Sequence, residues 1–421
     1  MLYKKLRADV LPLTDKQKRR EEMKTFSNFR FHMYTEMLFG KDTEKEVANM
    51  IKKHGGTKVM FVYGGGSIKR SGLYDRVVDS LKQGGIDFVE LGGVKANPLR
   101  SLVETGLKKA QEEKVDFMLA VGGGSTIDTA KAIALGLAND GEYWQFYNGV
   151  MAEKMIPVGT IHTISAAGSE TSGSSVIVDD IDTKKKYGFM NDVCRPVFAI
   201  MNPELTYTVS KYQTGSGTAD IFAHTYMRYL TADASYLCDQ YCAGTLKTVI
   251  KYGPIAVNDP TNYEARAELM LAGSFAHNDL TSIGRSGMPK GGEHGLEVQM
   301  SGMYDTPHGA GLAVVMPAML MYILNHGTEE QAARVAQMAV DVFEVDADYA
   351  DMRGVALEGI RRFKEWIRSI GMPLTIKELG IDPKEIPNII DATLPGADDA
   401  VMGFVRMDRA AMKEILDSVA E

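Results

Sequence analysis

Two strand–turn–helix segments that share one glycine-rich turn constrain the fold of this chain most. The β-rich run 58–63 leads into Gly-Gly-Gly-Ser at 64–67, and the run 116–121 leads into the same four letters at 122–125. A single turn of this kind is more often only a tight turn. Two copies, each directly after a strand and before a helix, predict βα units that bring backbone amides to a phosphate.

The length and the order of patterns predict two domains. A chain of 421 residues, 45% hydrophobic and 24% charged, is globular in composition and longer than one compact core usually serves. Strand and helix patterns alternate before Asn202-Pro203, and long helical patterns follow it, at 265–276, 329–343 and 352–369. We therefore predict an N-terminal extension at 1–24, an α/β dinucleotide-binding domain at 25–203 and a helical metal-binding domain at 204–421.

The first forty residues contain two distinct patterns. The run 15–22 has no apolar residue and cannot contribute a core face, so it is expected to be a solvated helical or mobile arm. The run 29–33 alternates apolar and polar residues, which predicts a strand.

Charge and cysteine usage exclude several classes of protein. The net charge is -8 and the sequence pI is about 5.6, with cations dispersed along the chain, so nucleic acid and anionic membranes are poor partners. No apolar run is expected to reach the roughly 20 residues that cross a bilayer. The three cysteines lack a disulfide or zinc framework, and the N-terminus lacks a signal-peptide pattern. A cytoplasmic protein is expected.

Four side chains between residues 217 and 309 suit a metal ion. Asp220 and His224 are four residues apart, which places them on one face of a helix, and His294 and His308 add two imidazoles. One carboxylate with three imidazoles favours Fe²⁺ or Zn²⁺ over Ca²⁺ or Mg²⁺. By themselves, an Asp and a His at this spacing are more often a surface pair or a packed histidine.

At these four positions the sequence resembles the iron-containing alcohol dehydrogenase family, in which Asp-x3-His and two further histidines at this spacing bind the metal. With the glycine turns, the resemblance runs from about Phe26 to near the C-terminus. It implies an α/β N-terminal dinucleotide-binding domain and an all-α C-terminal metal-binding domain, the dehydroquinate synthase-like fold. The active site is then expected in the cleft between the domains.

The resemblance also implies a set of coenzyme contacts. In the family, the second glycine turn holds the coenzyme pyrophosphate and the first lies beside the adenosine ribose. The residues implied are Gly65, Gly66, Ser67, Asn97, Gly122, Gly123, Gly124, Ser125, Asp128, Thr163, Ser165 and Lys186. Lys186 ends a run of three lysines, so a solvated hairpin is a competing interpretation of that residue.

The first glycine turn favours NADP(H). Ser67, followed by Lys69 and Arg70, stands where an NAD-preferring site would place an acidic residue against the ribose 2′-hydroxyl. A hydroxyl, open amides and nearby cations can accept a 2′-phosphate instead. The alternative is that Lys69 and Arg70 are solvated helix charges.

The resemblance implies hydride transfer between NADP(H) and a primary alcohol or aldehyde, with aldehyde reduction expected, as in the NADPH-linked butanol dehydrogenase branch. Val298 stands where some family members carry a histidine that faces the substrate, so no catalytic residue beyond the metal ligands is expected. His277 is interpreted as a packed structural histidine. A homo-oligomer is expected. The alternatives are a lyase or cyclase of the dehydroquinate synthase-like fold and a coenzyme-binding sensor.

Overall fold

The computed structural model describes residues 26–233, 235–285, 291–396 and 399–421. The predicted extension at 1–24 lies outside the described residues. The strands are β1 (Glu36–Phe39), β2 (Lys58–Gly64), β3 (Asp87–Val94), β4 (Phe117–Gly122), β5 (Val158–His162), β6 (Ser174–Val178), β7 (Lys186–Met190), β8 (Phe198–Met201), β9 (Val401–Met402) and β10 (Arg406–Met407).

The helices begin in the α/β half and dominate after it. In chain order they are α1 (Val47–Lys53), α2 (Ser67–Arg70), α3 (Leu73–Gln83), α4 (Arg100–Glu112), α5 (Gly124–Ala138), α6 (Lys211–Tyr229), α7 (Tyr236–Asn258), α8 (Tyr263–His277), α9 (Gly292–Tyr304), α10 (His308–His326), α11 (Glu329–Asp341), α12 (Met352–Ser369), α13 (Ile386–Thr393) and α14 (Arg409–Asp417).

A parallel six-stranded sheet places the two glycine turns side by side. Its order is β1-β8-β5-β4-β2-β3, and every neighbouring pair is parallel. After β2 the chain continues to β3 on one side, and after β4 it continues to β5 on the other. The direction of connection therefore reverses between β2 and β4, which is the position where open α/β sheets bind ligands. Both glycine turns leave the carboxyl ends of these two neighbouring strands.

Apolar side chains on both faces of the sheet explain why its central strands are hydrophobic throughout. Every residue of β4 is buried. Met60 and Met118 pack with Leu107 and Ile133, from α4 and α5, on one face. Residues of α1 and α3 pack on the other face, against Phe61 and its neighbours. Helices on both faces make this half a doubly wound α/β unit.

The second half is a helical assembly around α6, in which every residue from Thr214 to Tyr229 is buried. α6 packs against α7, α8 and α10. Among the described residues, α10 is the one helix long and apolar enough in composition to cross a bilayer, and the expectation from apolar runs did not include it. Since 78% of its apolar window is buried inside the protein, α10 is a core helix.

Two local predictions differ from the structure. Residues 29–33 form no strand, and the first strand among the described residues is β1, which pairs with β8. Phe29 and Phe31 are exposed, so the alternating apolar residues do not form the buried face of a sheet. The helical half also contains the two-residue antiparallel ribbon β9–β10, so it is mainly rather than wholly α-helical. The change from strands to long helices falls between Met201 and Lys211; a domain division at 203/204 is our proposal.

Candidate metal and coenzyme cleft

One cleft joins the glycine turns to the four candidate metal ligands. It has a volume of about 660 Å³, within the range typical of small-molecule and cofactor sites. Gly65, Ser67 and Gly122–Ser125 line one end, and Asp220, His224, His294 and His308 line the other. The sheet edge and the helical half therefore face each other across a single space.

Three helices bring the candidate ligands together. α6 carries Asp220 and His224 on one face, α9 carries His294 near its start, and His308 is the first residue of α10. One ligand atom each from Asp220, His224 and His294 lie within 4.8 Å of one another. His308 Nε2 is 3.8 Å from Asp220 Oδ1. Three of the four residues that the sequence singled out thus form one compact group, and His308 lies beside it through its contact with Asp220.

Close approach of two helix backbones explains how His308 reaches Asp220. A Cβ added to Gly309 would lie 1.9 Å from the Ser216 carbonyl oxygen and 3.0 Å from the Asp220 nitrogen. No side chain fits there, so α10 can begin against α6 only with glycine at this position. The glycine after His308 therefore helps to set the separation of the two ligands.

Several atoms in this cluster are buried acceptors or ring nitrogens without partners. Asp220 Oδ1, His224 Nδ1 and His294 Nε2 have no hydrogen-bond partner in the described part of the chain. An unsatisfied buried polar group costs about 1–3 kcal/mol, and several facing one another favour an ion between them. Burial raises the pKa of Asp220 and holds the pKa of His224 well below its usual value. The donor set fits a divalent transition metal.

Two glutamates stand behind the histidines, and the sequence analysis assigned them no role. Glu297 is fully buried, and its Oε2 contacts His308 Nδ1. Glu293 Oε1 lies 3.3 Å from His294 Nδ1. Burial would lower the pKa of His308, but Glu297 and Asp220 outweigh it and raise that pKa above its usual value. Carboxylates behind ligand imidazoles orient the ring and increase its basicity.

His277 is packed, as the sequence interpretation expected, but it also lines the cleft. Its Nδ1 lies 2.7 Å from the Ala167 carbonyl oxygen, which can only accept, so Nδ1 carries the proton. The ring stacks on His224 with centroids 4.2 Å apart, and burial holds its pKa well below the usual value. Val298 lines the cleft beside His294. The cleft wall next to the candidate ligands is therefore aliphatic at position 298.

The second glycine turn, predicted to hold the pyrophosphate, lies at the start of a long helix. A Cβ on Gly123 would lie 2.4 Å from Ile164 Cγ2, in the loop after β5, so a larger residue at this position would require that side chain to move. Gly124 begins the 15-residue helix α5, whose N-terminal amides carry partial positive charge. Ser125 Oγ donates to the Ala96 carbonyl oxygen, which ties this turn to the loop before Asn97.

Asp128 supports the loop beside the coenzyme site. It is partly buried, and it accepts hydrogen bonds from Ser169 Oγ at 2.6 Å and the Val176 amide at 3.1 Å. Lys131, which the sequence analysis did not single out, donates to the carbonyl oxygens of Ser169, Ser172 and Ser174. Burial lowers the pKa of Lys131 to about 8. Both α5 side chains hold the loop, and a coenzyme contact by Asp128 stays a prediction.

Asn97 and Lys186 span the cleft between the two halves. Asn97 Nδ2 donates to Asp305 Oδ1 at 2.8 Å, and Lys186 Nζ donates to Asn97 Oδ1 at 3.3 Å and to Ser301 Oγ at 3.2 Å. Lys186 is the first residue of β7, yet its ammonium reaches the helical half rather than solvent. Lys186 therefore lies in a hairpin strand, as the competing interpretation expected, but its side chain is not simply solvated.

Two of the predicted coenzyme contacts, Thr163 and Ser165, differ in their position relative to the cleft. Thr163 lines the cleft, and its amide donates to the Gly122 carbonyl oxygen at 3.0 Å. Ser165 does not line the cleft; its hydroxyl is buried and finds no partner within the described ranges. The Ser165 carbonyl oxygen is 2.2 Å from the position of a Cβ on Gly217, which shows how closely this loop approaches α6.

At the ribose end, the two cations of α2 point in different directions. Lys69 Nζ lies 5.1 Å from the ring centroid of Tyr63 and 4.6 Å from that of Tyr74. One guanidinium nitrogen of Arg70 lies 3.6 Å from the position of a Cβ on Gly66. The predicted basic surroundings of the first glycine turn are therefore present, and Arg70 provides the charge next to the turn.

Comparison with known proteins identifies the family. The model of iron-containing alcohol dehydrogenase matches residues 35–203, and that of the C-terminal part of the same family matches residues 214–420. The chain belongs to the iron-containing alcohol dehydrogenase family. This confirms the resemblance read from the metal and glycine motifs and does not favour the lyase or cyclase alternative.

Relatives of this alcohol dehydrogenase family member match over most of their length. NADH-dependent butanol dehydrogenase A of Clostridium acetobutylicum is 39% identical over 356 residues, 84% of this chain and 90% of the relative. NADPH-dependent aldehyde reductase YqhD of Escherichia coli is 35% identical over 373 residues, 86% of this chain and 92% of the relative. By their names, these relatives use different coenzymes, so family membership supports NAD(P)(H) without a choice between the two.

Solved structures confirm the fold. The crystal structure of NADH-dependent butanol dehydrogenase A from Thermotoga maritima superposes with a TM-score of 0.88 at 35% identity, covering 94% of this chain and 100% of that one. A crystal structure of Escherichia coli YqhD gives a TM-score of 0.85 at 29% identity, with 94% and 99% covered. An N-terminal parallel-sheet α/β domain followed by a helical domain is the architecture that the sequence predicted.

Proposed function

We propose that this protein is a metal-dependent oxidoreductase that interconverts a primary alcohol and an aldehyde with NADP(H), mainly as an aldehyde reductase. The observation that carries the proposal is one cleft lined by both glycine turns and by four candidate metal ligands, three of which form a compact group. The names of the relatives, butanol dehydrogenase and aldehyde reductase, support the substrate class.

The proposed ligands of an Fe²⁺ or Zn²⁺ ion are Asp220, His224, His294 and His308. When bound, such an ion supplies positive charge that polarises a carbonyl or stabilises an alkoxide, while the nicotinamide exchanges hydride with the carbon. The unpartnered Asp220 Oδ1 and His294 Nε2 support the assignment, because an ion would satisfy both. Glu297 and Glu293 hold the ligand rings from behind.

The remaining lining residues position the reactants. Gly122–Ser125 and the start of α5 would hold the pyrophosphate, and Thr163 lies farther along the same wall. Val298 presents an aliphatic surface beside the ligands, which suits the apolar part of an aldehyde and excludes water. No side chain of the described residues is assigned to proton transfer; water or a coenzyme hydroxyl is expected to relay the proton.

The proposed preference for NADP(H) rests on the ribose end of the cleft. Ser67 lines it with a hydroxyl rather than a carboxylate, and the Arg70 guanidinium lies over the neighbouring Gly66. A neutral turn with a cation beside it accepts a 2′-phosphate, whereas an acidic residue at the turn would repel it.

One experiment tests the activity and the coenzyme together. The purified protein is analysed for metal, and oxidation of NADPH and of NADH is followed with a panel of aldehydes from ethanal to hexanal. We expect metal-dependent loss of NADPH absorbance that requires an aldehyde. NADPH binding without aldehyde-dependent oxidation in the metal-loaded protein would favour the sensor alternative. Faster turnover with NADH at equal concentrations would contradict the coenzyme proposal alone.

We further propose a cytoplasmic homo-oligomer. All three cysteines are free and buried, which suits a reducing compartment. Large apolar side chains are exposed at Phe26, Phe29, Tyr236 and Leu237, and association would remove them from water. Light scattering of the purified protein measures the mass; a mass of about 46.2 kDa, that of one chain, would contradict the oligomer.

A further inference from the structure

Two neighbouring cations, Lys69 and Arg70, follow the first glycine turn at the ribose end of the cleft, and only Arg70 folds back toward that turn. Ser67, which lines the cleft, begins the single-turn helix α2, and Arg70 ends it. The Gly66 carbonyl oxygen accepts from the Arg70 amide at 3.1 Å, so the backbone of the turn and that of Arg70 are held together. The Arg70 side chain folds back over the turn, with a guanidinium nitrogen 3.6 Å from the Cβ position of Gly66.

Lys69 is directed elsewhere. Its ammonium lies over the rings of Tyr63 and Tyr74, a cation–π arrangement with both aromatic faces. The hydroxyls of the two tyrosines donate to the two oxygens of Glu90, at 2.8 and 2.7 Å. Successive residues of a helix point about 100° apart. Because Lys69 points toward the two tyrosines, Arg70 points in a different direction.

Within the described residues, no aromatic ring is in cation–π contact with Arg70. The part of the chain that the structure describes shows no carboxylate paired with its guanidinium, and the side chain is exposed. Gly66 has no side chain to separate the guanidinium from the backbone of the turn. A planar guanidinium can donate two parallel hydrogen bonds to a phosphate, a geometry that an ammonium cannot reproduce.

We propose that Arg70 is the residue that selects the 2′-phosphate of NADP(H), and that Lys69 does not take part. The proposal rests on the coenzyme preference stated under Proposed function, because an NADH-specific protein would have no such phosphate to bind. Glu90 supports it further: both its oxygens already accept from tyrosines, so this nearby carboxylate is not left free to bind ribose hydroxyls.

Direct binding tests the assignment without relying on turnover. The dissociation constants of NADPH, NADH, 2′,5′-ADP and 5′-AMP are measured by isothermal titration for the wild type, Arg70→Gln and the matched control Lys69→Gln. We expect Arg70→Gln to weaken NADPH and 2′,5′-ADP by roughly 10- to 100-fold, the value of a hydrogen-bonded charge, and to change NADH and 5′-AMP less than about threefold. Lys69→Gln should leave the NADPH-to-NADH ratio unchanged.

Arg70→Lys adds a second discrimination. It keeps the charge but loses the paired donors, so NADPH affinity should fall between those of the wild type and Arg70→Gln. Equal weakening of NADPH and NADH by Arg70→Gln, or a larger change in Lys69→Gln, would overturn the assignment while leaving an NADPH-preferring wild type intact. A wild type that binds NADH more tightly than NADPH would overturn the coenzyme preference itself, and the role of Arg70 with it.

Discussion

The two ends of the cleft differ in how deeply their polar side chains are buried. At the metal end, Asp220 and Glu297 are buried and the unpartnered atoms face one another. At the ribose end, the side chains of Ser67 and Arg70 are exposed. Buried groups lose more free energy when their partner is removed than exposed groups do. Removing a ligand at the metal end should therefore abolish function, and changes at the ribose end should only shift a preference.

The largest effect is expected from removing a proposed ligand. His294→Ala and His308→Ala should each lose bound metal, with turnover falling at least about 100-fold, because the ion supplies several kcal/mol of transition-state stabilisation. Metal content and aldehyde reduction are measured together, with circular dichroism to show that the fold survives. His326→Ala is the matched control, since His326 is exposed and pairs with Glu414 on the surface. Full metal content in both variants would refute the ligand set.

A smaller loss at the same end is expected from Glu297→Gln. The amide keeps the shape but loses the charge that holds His308 Nδ1, so metal affinity should fall by about 10- to 100-fold while the protein can still be loaded at high metal concentration. Competition with a chelator measures the affinity. Glu414→Gln, which alters the exposed carboxylate–histidine pair, should leave affinity unchanged; equal effects of the two substitutions would mean that Glu297 does not support a ligand.

At the ribose end, Ser67→Asp should weaken NADPH binding by about 1–3 kcal/mol, because the new carboxylate opposes the 2′-phosphate. NADH binding should stay the same or improve. Ser67→Asn, which adds similar bulk without charge, separates repulsion from steric change. If the aspartate variant binds both coenzymes as the wild type does, Ser67 does not face the ribose.

The smallest expected change is at Val298. Val298→His should keep activity and alter its pH dependence, because an imidazole with a pKa near 6.5 can donate a proton during aldehyde reduction when it is protonated, below that pH. Rates are compared across pH at saturating NADPH, with Val298→Phe as an aromatic control that does not titrate. Superimposable profiles for the histidine variant and the wild type would show that position 298 does not face the substrate.

Local patterns were sufficient for the architecture and for the convergence of the four candidate ligands. Strand–glycine turn–helix is a contiguous signal, and so is Asp220 with His224, since helical spacing alone places them together. The helix Met352–Ser369 was located from periodicity with the bounds that the structure has. Alternation at 29–33 misled because Phe29 and Phe31 face solvent rather than a core.

What the sequence by itself determined, then, is the order of elements, the family and the chemical type of the cleft, because each is encoded in short runs or in a motif shared with relatives. Only the tertiary structure placed Glu297 behind His308, Lys131 under the loop at 169–174, and Arg70 rather than Lys69 over Gly66. These contacts are made by side chains whose direction depends on three-dimensional packing. No spacing rule along the chain specifies which of two adjacent cations Tyr63 and Tyr74 will hold.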